Sequence, residues 1–118
     1  MSDEFIELAT HEINQEISDM FAIMNSCKTN DDVIQKASII ERHTHKIKGL
    51  APMMGKEDLG ELAAVIDTVL KRIIDGKNIS FFDELSNSIS LMKTSMDSSC
   101  DLSEIKTRIN AILNSCQS

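Results

Sequence analysis

One pattern runs through almost the whole chain. Apolar residues recur at steps of three and four, the period of an α-helix that buries a single face. Ile6, Ala9, Ile13, Ile17, Met20 and Met24 form a first stripe, which predicts a helix over about residues 3–26. Val33, Ala37, Ile40, Thr44, Ile47 and Ala51 form a second, with the strict 4-3-4-3-4 alternation of a bundle seam. It predicts a helix over about residues 31–53, because Pro52 lacks a backbone donor and crowds the carbonyl four residues back. Leu59, Leu62, Ile66, Val69, Leu70 and Ile73 predict a third helix over about 57–75, closed by Gly76. Phe82, Leu85, Ile89, Met92 and Met96 predict a fourth over about 81–98. Ile105, Ile109, Ile112 and Leu113 predict a short fifth over about 102–115.

Helix starts are legible as well. Asn30 precedes Asp31 and Asp32 and reads as a cap with acids in the first turn, where the helix dipole favours negative charge. Ser80–Asp83 and Asp101–Glu104 each resemble a capping box. No alternation of strand type competes, and with four Gly and one Pro the chain lacks the frequent turns of a sandwich or barrel. Short connections make neighbouring helices antiparallel. The expected fold is therefore all-α: an antiparallel up-down four-helix bundle with an additional C-terminal fifth helix. With 118 residues, a single domain spanning 1–118 is expected, large enough to bury roughly two-thirds of its unfolded surface.

Composition narrows the function. The formal charge is −7 and aromatics are 3%, with no Trp or Tyr, which disfavours nucleic acid and anionic membranes as partners. Cys27, Cys100 and Cys116 are odd in number and far apart, without metal or redox spacing. Reduced thiols and a cytoplasmic location are expected. The acidic start, MSDEFIEL, has no apolar signal segment. The seven Met lie mostly on the stripes and read as core filler.

The chemistry-bearing residues sit on the second helix. His11 lies off the first stripe and reads as a surface residue. His43 and His45 are two apart, hence about 200° around a helix, and cannot bind one metal from one face. No metal is expected. Stepping about 100° per residue from the stripe centre, His43 falls about 80° to one side and His45 about 120° to the other. His43 is thus a half-buried flank position and His45 faces solvent. Lys48 lies nearer the core on the His45 side, and Gly49 leaves the surface one turn on unshielded. A glycine in mid-helix costs about 1 kcal/mol relative to Ala, and close approach of another protein would give it a reason. An exposed neutral imidazole is a competent nucleophile, and a neighbouring ammonium stabilises an incoming phosphoryl group. Arg42, Lys46 and Lys48 make a basic island in an acidic chain.

His45-Lys46-Ile47-Lys48-Gly49 resembles the H-x-x-K-G motif of histidine-containing phosphotransfer domains. The longer stretch HTHKIKGLAPMMGKEDLGELAAVIDTVLKRI is similar to the N-terminal phosphotransfer domain of CheA-type chemotaxis histidine kinases. Met54 stands where that family commonly has an aromatic. The resemblance implies that His45 accepts the phosphoryl group, Lys48 stabilises it and Gly49 gives partners access. A family Glu that orients the imidazole is matched by the shorter Asp67. From its own position, about 80° off the third stripe, Asp67 reads equally as that orienting group or as the ion partner of Lys71. The implied partners are a histidine kinase catalytic domain and a response-regulator receiver domain. The domain itself needs no cofactor, since ATP and magnesium belong to those partners and no Gly-rich phosphate loop occurs here. The alternative reading is a helical interaction module without chemistry. A free-standing carrier and a piece of a larger kinase are both open; the polar end NSCQS reads as the start of a linker.

Overall fold

The structure, a computed structural model, describes residues 2–115. Five helices carry the described residues, with no strand among them: α1 (Asp3–Asn25), α2 (Asn30–Met53), α3 (Glu57–Ile74), α4 (Phe82–Asp97) and α5 (Ser103–Ser115). All five stand where the apolar stripes place them. None of these helices is long and apolar enough to cross a membrane.

The helices enclose one apolar core. α2 pairs most extensively with α3 and also packs on α1; α1 and α3 each meet α4. α5 lies against α3 and α4, a placement its sequence alone leaves open. The buried residues of α2 are Val33, Ala37, Ile40, Thr44, Ile47 and Ala51, the predicted seam without addition or loss. Each large aliphatic side chain sealed in this way contributes roughly 1.5–3 kcal/mol. Ile6, placed on the α1 stripe, is 37% exposed, because the stripe runs out before its N-terminal turn. Cys27 is buried and Cys100 partly so, and both are free thiols; Cys116 lies outside the described residues.

Three starts differ from expectation. α2 is capped by Thr29, whose Oγ1 accepts from the Asp32 amide while Asp32 accepts from the amides of Lys28 and Thr29. Asn30, the expected cap, reaches instead across the molecule. Its Oδ1 accepts from the backbone amides of Phe81 and Phe82, and its Nδ2 donates to the Ile79 carbonyl. That clamp replaces the capping box expected at Ser80–Asp83: α4 starts after Phe81 with no cap from its own side chains. Phe81, rather than Phe82, is the ring sealed in the core, at 0% exposure. At α5, Asp101 Oδ1 accepts from both the amide and the hydroxyl of Ser103, two residues on, in place of the Glu104 amide that the expected box would use.

Gly60 has a role the pattern does not reveal. A Cβ there would sit 2.6 Å from Pro52 Cγ and 2.8 Å from Cδ. The glycine lets α3 close on the proline that terminates α2.

Candidate functional site

The site follows from one buried threonine. Thr44 sits at the centre of the α2 seam with 0% exposure. Its neighbours in sequence are each rotated about 100° from it in opposite senses. His43 is thereby delivered to the α1 side of α2, and His45 to the α3 side.

On the α3 side, His45 is open: its side chain is 62% exposed. Its Nδ1 faces two carboxylates, Glu41 Oε2 at 3.7 Å and Asp67 Oδ2 at 3.8 Å. Both separations exceed hydrogen-bond length. Asp67 is almost fully buried, at 1%, and much of its surroundings converges on one oxygen. Lys71 Nζ lies 3.0 Å from Oδ2 and Lys48 Nζ 3.6 Å. The other oxygen is 3.5 Å from the Thr44 hydroxyl. Both readings of Asp67 therefore describe part of the geometry. It is the ion partner of Lys71, and it is also the carboxylate His45 faces, without direct contact.

The charges in this pocket are coupled. Burial works to raise the Asp67 carboxyl, but hydrogen bonds from Glu41 and Lys71 and the charges of Lys71 and Lys48 outweigh it and hold the carboxyl below its ordinary range. Glu41 moves the other way: its hydrogen bond with Asp67, burial and the charge on Asp67 all raise it. The Lys71 ammonium is pushed up by its hydrogen bond to Asp67.

On the α1 side the arrangement is closed. Glu16 of α1 is 3% exposed although charged. Its Oε1 lies 2.5 Å from His43 Nδ1, and its Oε2 lies 3.5 Å from Lys46 Nζ. His43 is 18% exposed. Burial pushes the Glu16 carboxyl up, but hydrogen bonds from His43 and Glu12 and the charge of Lys46 bring it below the ordinary range. The Glu12 carboxyl is raised by its hydrogen bond to Glu16. The basic island around His45 is accordingly divided: Lys46 leans to Glu16 and Lys48 to Asp67.

Glu16 and Glu41 are the members that sequence reasoning missed. The signal for Glu16 was available: it sits three residues after Ile13 and four before Met20, on the buried face. Spacing likewise sets the two histidines apart but says nothing of carboxylates from other helices. Glu41, His45 and Asp67 offer ligand atoms within 4.8 Å of one another, and so do Glu16, Asp19 and His43. At the first set, the ammoniums of Lys48 and Lys71 already neutralise Asp67 and oppose a cation beside it.

Gly49 has nothing within 4 Å of where a Cβ would stand, so the surface one turn beyond His45 is open. Met53, one turn further on, is 51% exposed. Comparison of the chain with family models, curated proteins and solved structures returned no match.

Proposed function

We propose that this chain is a histidine phosphotransfer domain of two-component signalling, built as an up-down antiparallel four-helix bundle with α5 added. One observation carries the reading. On an exposed helix flank, an accessible imidazole turns Nδ1 toward a buried carboxylate that also draws in the lysine three residues on. That leaves Nε2 as the nitrogen for chemistry. A carboxylate on the Nδ1 side favours the tautomer with its proton there and a lone pair on Nε2.

The step is a phosphoryl transfer. Nε2 of His45 forms a bond to the γ-phosphorus of ATP held by a kinase catalytic domain; the bond to the bridging oxygen breaks and ADP leaves. An aspartate oxygen of a receiver domain then takes the phosphorus, and the N–P bond breaks to restore the imidazole. Lys48, half exposed and one turn on, supplies positive charge to the phosphoryl oxygens. Most of the remaining stabilisation, magnesium included, belongs to the partners. The open surface at Gly49 receives them. The resemblance favours a place in a cytoplasmic chemotaxis histidine kinase.

The test is incubation with ATP and a histidine kinase catalytic domain, followed by site mapping. Acid-labile, alkali-stable label on His45, lost in His45→Gln, is the expected result. Label that survives His45→Gln overturns the assignment. Partner binding that persists in that variant, with no label in the parent chain, makes the chain an interaction module instead.

A further inference from the structure

Asp67 Oδ2 is contested. Three nitrogens approach it: Lys71 Nζ at 3.0 Å, Lys48 Nζ at 3.6 Å and His45 Nδ1 at 3.8 Å. Only the first lies within the range of a charge-assisted hydrogen bond. The advantage of Lys71 is local. It stands four residues after Asp67 on the same helix, so the pair forms within α3 and needs nothing from α2. His45 must reach the same oxygen from the neighbouring helix, and to bond it must close roughly 1 Å.

We propose that Lys71 is a positioning residue that competes with His45 for Asp67 and holds the imidazole short of its carboxylate. The site described above is thus held in a restrained state. Withdrawal of the Lys71 ammonium frees Oδ2 to accept from His45 Nδ1–H, which fixes that tautomer and leaves the Nε2 lone pair more available. Lys71 is 53% exposed and Lys48 43%, so either ammonium can swing to solvent or to an arriving phosphoryl group. Glu41 is the other carboxyl at His45 Nδ1, and its raised proton affinity comes first from its bond to Asp67. The inference rests on the phosphotransfer reading for its consequence but not for its test.

The test uses the full chain without a kinase. Ring ¹⁵N shifts of His45 in mildly alkaline buffer, where imidazoles are neutral, report which nitrogen carries the proton. Lys71→Gln is expected to make the Nδ1–H tautomer the major one; Lys71→Arg, which keeps a cation on Asp67, is expected to match the parent. In an Asp67→Asn background, Lys71→Gln should have no effect, as a double-mutant cycle requires if Lys71 acts through Asp67. A tautomer balance unmoved by Lys71→Gln overturns the proposal. So does the same shift in Lys71→Arg, or an equal shift with Asn at position 67. Should Asp67→Asn fail to fold, the Gln and Arg pair at 71 still decides. The second readout is reaction with phosphoramidate, in which His45 Nε2 bonds to phosphorus, the donor's P–N bond breaks and ammonia leaves. Lys71→Gln should accelerate it several-fold. A slower reaction with an unchanged tautomer would make Lys71 a phosphoryl-binding group and sink the competition. A tautomer shift in a chain that no kinase labels would uphold the competition while removing the phosphotransfer reading.

Discussion

Each flank of α2 carries a histidine and a lysine three residues on, facing a carboxylate from a neighbouring helix, and the two flanks use them differently. On one, His43 and Lys46 converge on Glu16 of α1; on the other, His45 and Lys48 converge on Asp67 of α3. Both carboxylates are nearly inaccessible. The separation between imidazole and carboxylate distinguishes them: 2.5 Å for His43 and 3.8 Å for His45. Glu has one methylene more than Asp and spans the gap between helices. Asp67 does not, and Lys71 on its own helix holds the oxygen that would. The first flank is a closed polar contact within the fold. The second keeps an imidazole exposed and unbonded at Nδ1, short of the carboxylate that would fix its tautomer.

That contrast can be broken in several ways, the largest first. Glu16→Ala should destabilise the fold by about 3 kcal/mol, since removing one member of a buried pair strands the other. His45→Gln should change stability by under about 0.5 kcal/mol, as exposed substitutions do. Denaturant titration of the two variants measures both; equal losses would erase the distinction between the flanks.

Gly60→Ala should cost about 1–3 kcal/mol, because its Cβ would meet the rigid Pro52 ring at 2.6 Å. Gly49→Ala meets nothing and should stabilise the chain by up to about 1 kcal/mol through helix propensity. If the open surface at Gly49 receives a partner, that variant becomes more stable yet transfers phosphoryl groups more slowly. A stabilised variant with unchanged transfer would remove the docking role.

Acid should act on both flanks. Asp67 and Glu16 have carboxyls held below their ordinary range, so they bind fewer protons folded than unfolded. Their stabilisation is present above the ordinary carboxylate range of about 4 and is lost as pH falls through their lowered folded values. Glu41, raised, has the opposite sign: its contribution is present at low pH and fades as pH rises through its raised value. Stability profiles of Asp67→Asn and Glu16→Gln should therefore fall less steeply in acid than that of the parent chain. A slope unchanged in both variants would place acid sensitivity elsewhere, with Asp32 and Asp101, also lowered by cap hydrogen bonds, the next groups to substitute.

Much of the fold was legible because helix burial is periodic. The α2 seam, the flank position of His43, the exposure of His45 and the end of α2 at Pro52 all follow from steps of about 100° per residue. Positive φ at Gly55 and Gly76, 85° and 100°, likewise agrees with their places just beyond helix ends. Less was legible where side chains act between helices. Asn30 looks like a local cap, yet it clamps the start of α4, 51 residues away in sequence. Glu16 sits on the buried face of α1, but its spacing does not name His43 and Lys46 as the partners that α2 brings to it.

By itself, then, the sequence determined which faces of five helices are apolar and which residues of α2 lie on each flank, because local periodicity needs no knowledge of neighbours. Which carboxylate each histidine meets, how far away it lies and which lysine reaches it first depend on how the helices pack. Those are distances between helices, set by the packing of residues such as Thr44, Gly60 and Pro52, and differences near 1 Å there separate a closed hydrogen bond from an open, contested one.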